Sequence, residues 1–518
     1  MHRRSLRLGT RRSALARAQS GLVARQLERL HPGLTVELIG IDTRGDRILD
    51  RPLSQLEGKE FFTAEIDAAL LRAEVDFTVH SFKDLSLERP ARLCLGAVPL
   101  RENPRDIALF APDVHSRLVA GAPLRIGTSS PRRAAFLPEF LRQALPPGDA
   151  CIELVELRGN VDSRLRRLRE PRGSERQLDG VVLAFAGLAR LWQDAASGHA
   201  LLSGLLAGLP RMLIPLTVCP AAPAQGALGI ECRTDDAEMR AVLASIDHAP
   251  TRRAVAAERA MLAARGGGCH QQFGATQVPV PGLGELLHWR EAPSAGAADA
   301  GAQLQWLPDT PLPPPGAVRA VWDGANAAPA VAQPLPDAAR RCARALDHAP
   351  AAFIAHRHAL PAYGSELDAA TVNRCAHLWV PGTATWFELA RRGVWVEGCA
   401  EGLGFDTLRA TLAAPLLQLP APEQWLVLTH EAAAEGWSGP QALATYRSEP
   451  AAGRGPPADV SHVYWHSAAQ YAHWHAQLPA GVHHACGQGR TAERLRATGI
   501  AAPIVFPSVH EWRRWLRT

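Results

Sequence analysis

The first 216 residues alternate short apolar strands with amphipathic helices, and they do so twice, which restricts the chain to a pair of parallel-rich α/β units. In the first unit SLRLGT is a strand, and Ser13 caps a helix to about Leu30 with Leu15, Leu22, Val23, Leu27 and Leu30 on one stripe. TVELIGI is the next strand, FFTAEIDAALLR a helix and VDFTVHS a strand. In the second unit, from about residue 105 to 216, LRIGTSS is a strand and Ser130 caps a helix with Pro131 at its first position. CIELVEL is a strand, NVDSRLRRLRE a helix and GVVLAFAGL a buried strand. Two such units in tandem leave a cleft between them, and ligands of such sheets sit at the carboxyl ends of the strands.

A third segment, about 241–290, holds TDDAEMRAVLASI and the helix TRRAVAAERAMLAA, which ends in RGGGC. From 291 to 337 the text turns to Ala, Pro and Gly with little periodicity (SAGAADAGAQ, PDTPLPPPGA) and reads as linker or irregular structure. Strand and helix signals return in QWLVLTH, HVYWHS and HHACGQGRTAERLRATG, a separate α/β region. With 518 residues, 47% of them hydrophobic, the chain has material for several cores.

Composition removes several classes of function. A net charge of +5 is too small for a dedicated nucleic-acid binder and suits small anionic ligands. No apolar run approaches the ~18 residues that span a bilayer, and the arginine-bearing start lacks the apolar stretch of a signal peptide. A cytoplasmic protein with no membrane and no nucleic-acid partner is expected. Nine cysteines without a CxxC pair suggest neither a disulfide framework nor a metal site. No GxxxxGKS/T loop, GxGxxG turn after a strand, HExxH or GxSxG occurs.

Of 56 basic residues only Lys59 and Lys83 are lysine, which marks these two positions for a compact ammonium in place of a guanidinium fork. Lys83 lies in HSFKDLS, at the end of the apolar strand VDFTV, where Asp84 would face a cleft beside a substrate. The plainer reading is a Lys-Asp pair in an exposed turn. Arginines recur at the strand-to-helix turns: Arg11 and Arg12 in GTRRS, Arg132 and Arg133 in GTSSPRR, Arg158 with Arg164 in LRGNVDSR, and Arg190 in AGLAR. One such arginine is more often a solvated charge. Four turns that repeat the arrangement, each beside the N–H groups of a helix start, imply a ligand with several negative charges. Cys269 follows Gly266 to Gly268, which end a helix and leave a thiol at a loop tip, to attack or to carry something covalently. His270 is adjacent in sequence and expected to point elsewhere, so a passive attachment point fits better than a nucleophile.

TRRSALARAQ, TRGDRILD, GKEFFTAEID, VHSFKDLS, NPRD, GTSSPRR, LRGNVDSRL, VLAFAGLARL, APAQGALGIECR and AAERAMLAARGGGC follow one another over about residues 5–275. In these stretches the chain resembles the porphobilinogen deaminases, also called hydroxymethylbilane synthases. The resemblance implies an α/β fold of two periplasmic-binding-protein-like lobes and a small α+β domain that carries the cofactor cysteine. Domain 1 would span 1–102 and 217–240, domain 2 103–216, and domain 3 241–290. It implies that four porphobilinogen molecules are joined, with loss of ammonia, into linear hydroxymethylbilane, on a dipyrromethane cofactor held by a thioether to Cys269. Asp84 would be the catalytic carboxylate. Ser81, Lys83, Ser129, Arg132, Arg133 and Arg158 would hold the cofactor, and Arg11, Ser13, Lys59, Thr128, Arg164 and Arg190 the substrate, with no metal. Porphobilinogen and the linear tetrapyrrole would be the partners of a monomer, and residues around 44–60 a mobile cover. The sequence departs from the family at Ser86, where proline usually follows KDV or KDL, and in CHQQFG, where Gln272 replaces a proline and is expected to loosen the loop. A non-catalytic anion-binding module of the periplasmic type also fits two lobes and a cleft, but it leaves Asp84 and Cys269 without a task.

FIAHRHALP, WVPGTATWFELARRGVWVEGCAEGLG, ATYRSEP, VYWHSAAQYAHW and GQGRTAERLRATG make residues 338–518 resemble, more distantly, uroporphyrinogen-III synthase, a two-lobed α/β fold. That resemblance implies a second activity fused to the first. Hydroxymethylbilane cyclises spontaneously to the wrong isomer, and a tethered enzyme would meet it at high effective concentration. Tyr446, Ser467 and Thr491 are the candidate contacts.

Overall fold

The structure, a computed structural model, describes residues 5–43, 63–267, 271–293, 301–324, 331–449, 455–498 and 503–518. The chain divides into two compact units, one of Met1–Arg142, Ala150–Val278 and Leu287–Leu304, the other of Gln143–Asp149, Pro279–Leu286 and Gln305–Thr518.

The first unit contains β1 (Ser5–Arg11), β2 (Thr35–Ile41), β3 (Phe77–Ser81), β4 (Leu93–Ala97), β5 (Asp106–Phe110), β6 (Leu124–Gly127), β7 (Ile152–Val155), β8 (Gly180–Ala184), β9 (Arg211–Leu213) and β10 (Leu228–Arg233). They form two sheets of one plan, in the orders β2-β1-β3-β10-β4 and β7-β6-β8-β5-β9. In each, the first three strands run parallel and the fourth lies antiparallel to both its neighbours. That antiparallel strand is β10 in one sheet and β5 in the other, so the chain crosses between the lobes after β4 and again before β10.

Local chemistry explains the first lobe. The Oγ of Ser13 accepts from the N–H of Ala16 at 3.3 Å and starts the helix Ala14–Leu30. Val23 and Leu27 of that helix pack on Leu6, Leu8, Phe77 and Ile230. Leu15 and Leu22 are half-buried, and Leu30, at the end of the stripe, is exposed. In the second lobe Pro131 opens the helix Pro131–Ala144, whose Phe136, Leu137 and Phe140 are buried with Leu124 and Ile126.

Two stretches differ from the sequence reading. GVVLAFAGL is a strand only to Ala184, and the helix Phe185–Trp192 takes the rest. Nearly all of that helix is buried, so its apolar run carries no period to tell it from a strand. The segment 291–337, read as linker or irregular, contains β13 (Gln303–Leu307), β14 (Ala320–Trp322) and β15 (Val331–Pro334). These strands are short, β14 and β15 pair with strands far along the sequence, and β13 pairs with the strand before it across an Ala- and Gly-rich stretch, so composition conceals them. Ahead of them the helices Ala237–Ala244 and Ala249–Ala263 are followed by β11 (Phe273–Val280) and β12 (Gly284–Glu291), which form a sheet in the order β11-β12-β13.

In the second unit β14 is joined by β21 (Val460–Trp465), β22 (His483–Gly487) and β23 (Ile504–Phe506) in the order β14-β21-β22-β23, all parallel. The other sheet has the order β15-β20-β19-β16-β17-β18, with β16 (Ala351–Ile354), β17 (Leu378–Val380), β18 (Gly398–Cys399), β19 (Trp425–His430) and β20 (Gln441–Glu449). Trp379, Trp386, Trp425, Trp465 and Trp512 are fully buried in this unit. Among the described residues no helix is long and apolar enough to cross a membrane.

Candidate functional site

β3 ends at Ser81, and the chain turns at once through the short 3₁₀ helix Phe82–Asp84. Phe82 and Leu85 are buried together with Val98, Ala224, Ala227 and Val255. Anchored on both sides, the turn leaves Asp84 exposed and Lys83 half-buried between them. Ser81 exchanges hydrogen bonds with the amide of Gln19, at 3.0 and 3.2 Å. Lys83 donates from Nζ to Oε1 of Gln225 at 3.2 Å. Burial pushes the Lys83 ammonium below its ordinary range, while Asp84 acts in the opposite direction.

The GTSSPRR turn of the second lobe is built on a carboxylate that sequence reading passed over. Asp106, fully buried at the start of β5, accepts from Arg132 Nη2 at 2.6 Å and from Arg133 Nη2 at 2.7 Å. Arg132 also donates to the Pro220 carbonyl and Arg133 to the Val182 carbonyl. Gln225 completes the arrangement: its Nε2 donates to Asp106 Oδ1 at 2.8 Å while its Oε1 accepts from Lys83. The first lobe's lysine and the second lobe's arginines therefore meet through one buried amide. The only sequence signals for these two residues were their places in NPRD and APAQGALG.

Lys83, Asp84, Arg132, Arg133, Arg158 and Arg164 lie close enough to act on one another's charges. Arg164 Nε donates to the Gly159 carbonyl at 2.7 Å, and burial, with the nearby charges of Arg133 and Arg158, lowers its guanidinium to about 10. Arg158 has a distant ion pair with Glu156 at 3.7 Å, but its Nε and Nη2 are buried and hydrogen-bond to nothing among the described residues. A buried, unmet donor costs about 1–3 kcal/mol, so Arg158 is the guanidinium with most to gain from an incoming carboxylate. Thr128 is buried, and its Oγ1 accepts from Ser130 N at 3.2 Å; Ser129 is half-buried beside it.

The remaining sequence candidates have other surroundings. Ser13 caps its helix, and Arg12 pairs with Asp42. Arg11, half-buried at the end of β1, acts on His80 together with Arg89. Burial above all lowers His80 to about 3, so its ring is uncharged at neutral pH and its 3.5 Å approach to Glu231 is no ion pair. Arg190 stands apart from the arginine group: it is buried, and its Nη2 donates to the Gly226 carbonyl at 2.5 Å, in the crossing before β10. Lys59 and Cys269 lie outside the described residues, as do residues 44–60, the expected cover. Beside Cys269, Gln271 Nε2 donates to the Arg265 carbonyl at 3.0 Å, and the Gln272 carbonyl accepts from Ala292 N at 2.9 Å. In the second unit Tyr446 is buried on β20, Ser467 caps the helix Ala468–Trp474, and Thr491 lies in the helix Arg490–Ala497.

A cavity of about 620 Å³ opens elsewhere on the second lobe, beside Arg117, Arg125 and Arg172. Asp113 and Asp179 already engage two of these arginines.

Paired α/β lobes of one topology, with an exposed carboxylate set among a lysine and arginines, define a two-lobed α/β protein. The family model described as "Porphobilinogen deaminase, dipyromethane cofactor binding domain" matches residues 6–241. The porphobilinogen deaminase of Roseiflexus sp. (strain RS-1) is 44% identical over 285 residues, 55% of this chain and 82% of that protein. Porphobilinogen deaminase 1 of Streptomyces avermitilis is 44% identical over 292 residues, 55% of this chain and 80% of that protein. The chain belongs to the porphobilinogen deaminase family. Among solved structures, the methionine binding protein MetQ aligns with 49% of this chain and 94% of its own at 13% identity and a TM-score of 0.26, too low to carry an argument.

Proposed function

We propose that Asp84 is the catalytic carboxylate of this chain and that Cys269 carries its cofactor. As a member of its family the chain is an enzyme, a hydroxymethylbilane synthase of tetrapyrrole and heme biosynthesis, with porphobilinogen as substrate and dipyrromethane as cofactor. The observation that carries the Asp84 reading is its position: an exposed carboxylate beside a half-buried lysine, within range of Arg164.

Porphobilinogen carries an acetate and a propionate, so a growing product accumulates carboxylates, which guanidinium forks bind in pairs. Arg158, with two unmet buried N–H groups, fits such a ligand, and Ser81, Lys83, Ser129, Arg132 and Arg133 would hold the cofactor with it. When bound, the dipyrromethane supplies the pyrrole position to which the first substrate unit is joined. Arg11, Ser13, Thr128 and Arg164 would orient the substrate. Loss of ammonia leaves a cation on the substrate, and Asp84 would stabilise that charge and take up or return a proton at its carboxylate. The proposed division into 1–102 with 217–240 and 103–216 is supported by the sheet orders, in which the first two segments supply one lobe's strands and the third the other's.

The test is the intact mass of the denatured protein beside a Cys269→Ser variant, with turnover of Asp84→Asn. A dipyrrole-sized increment that needs Cys269, and a loss of turnover of about a hundredfold or more in loaded Asp84→Asn, are expected. An unmodified wild type, or full turnover without the carboxylate, would sink the corresponding assignment.

A second reading concerns the second unit, which we read as a uroporphyrinogen-III synthase-like partner. The chain enters the four-stranded sheet with β14, leaves it for β15 to β20 and returns at β21, so two lobes are joined by two crossings. Tyr446, ringed by His356, His358 and His430 at 5.9–6.2 Å, lines a cavity of about 590 Å³ together with Arg357 and Arg392. That cavity combines aromatic walls with cations, as a carboxylated pyrrole requires.

A further inference from the structure

The helix Ala249–Ala263 leads into the glycine segment before Cys269, and one of its side chains reaches back to the turn that carries Asp84. Arg259 Nη1 donates to the carbonyls of Phe82 at 3.2 Å and Leu85 at 2.9 Å, and Nη2 to that of Ser86 at 2.8 Å. Its guanidinium carbon also lies 4.6 Å from the centroid of the Phe82 ring. A planar fork that grips three carbonyls restrains the residues enclosed between them, which are Lys83 and Asp84. Lysine at 259 could offer only a point charge on a flexible stem.

The neighbouring residue makes the helix a fixed reference. Glu258 is fully buried and accepts from Arg101 at 2.5 and 3.0 Å, from Ala224 N at 2.7 Å and from Gln277 N at 2.7 Å. At the far end Gly267, with φ of 68°, lies against Leu87; a Cβ there would come within 2.8 Å of Leu87 Cδ1. The turn and the base of the cysteine loop are thus held to one another at both ends of the helix's last turns.

We infer that Arg259 is a positioning residue for the reaction: it locks the Phe82–Ser86 turn to the helix that leads to Cys269, and so sets where Asp84 stands relative to what the thiol carries. The inference rests on the reading of Asp84 and Cys269 above.

With only two lysines in the chain, carbon-13 labelling of lysine yields two side-chain signals, and Lys59→Arg assigns them. Arg259→Lys and Arg259→Met are compared with the wild type. In cofactor-loaded enzyme kcat is expected to fall at least about tenfold, with KM within about twofold. The Lys83 signal is expected to titrate at higher pH in loaded and unloaded protein alike, because a loosened turn rehydrates an ammonium that now faces Asp84, Asp106, Arg132, Arg133 and Gln225. A Lys83 titration that does not move overturns the inference, and so does a kcat within twofold of wild type or a loss confined to thermal stability. If Arg259→Met fails to fold, Arg259→Lys decides. Failure of the Asp84 assignment is seen separately, as full turnover in Asp84→Asn, and leaves the Lys83 titration to judge Arg259.

Discussion

Asp106 shows how a pair of candidate site arginines can depend on a carboxylate buried beneath them. Burial works against its carboxylate, yet Arg132 and Arg133 outweigh burial and hold it well below the usual carboxylate range. A carboxylate whose folded pKa lies below its unfolded one stabilises the fold above the ordinary value of 3.8, and that contribution is lost as pH falls below it. Stability is therefore expected to drop below about pH 4. Asp106→Asn should lower stability at pH 7 by about 3–5 kcal/mol, because two buried guanidiniums lose their counter-charge, and should flatten that acid limb. Urea unfolding at pH 7 and at about pH 3.5 checks both; a loss under about 1 kcal/mol would mean that the arginines find water instead. Arg132 and Arg133 were legible from GTSSPRR, whereas Asp106 was not, since nothing local in NPRD shows that its carboxylate is buried beneath them.

At the scale of elements, the two crossings between the lobes are held closely against one another. Gly226, at φ of 86°, lies in the crossing before β10, and a Cβ there would come within 2.4 Å of the Glu102 carbonyl oxygen in the other crossing. The Gly226 carbonyl accepts from Glu102 N at 3.1 Å and from Arg190, while Arg101 Nε donates to the Gln225 carbonyl at 2.8 Å. Gly226→Ala is expected to cost more than about 2 kcal/mol, from backbone strain and a backbone clash that no side chain can relieve. Gly33→Ala, with the same φ of 86° but open space around the Cβ, should cost about 1 kcal/mol from strain alone. Equal shifts in the urea midpoints of the two variants would show that the close approach carries no energy. Arg190, expected from AGLAR to bind substrate, is buried and donates to the Gly226 carbonyl of this crossing.

For the molecule as a whole, the question is whether one chain performs one reaction or two. Incubation with porphobilinogen, oxidation and separation of the uroporphyrins should show the type III isomer in excess over what spontaneous closure of hydroxymethylbilane yields; type I alone would remove the second activity. The sequence by itself determined what short-range physics controls. The strand and helix alternation of both lobes, the caps at Ser13 and Ser130, and the Lys83-Asp84 turn after an apolar strand all depend on neighbours within a few residues. Tertiary structure alone decided the rest. The capture of Arg133 by Asp106 spans 27 residues, the Lys83–Gln225 bond 142 and the grip of Arg259 on Phe82 177. The return of β10 to pair with β3 and β4, and the pairings of β14 and β15, depend likewise on partners met only on folding. Such contacts leave no periodic trace, because a hydrogen bond specifies the atoms that meet and not the length of chain between them.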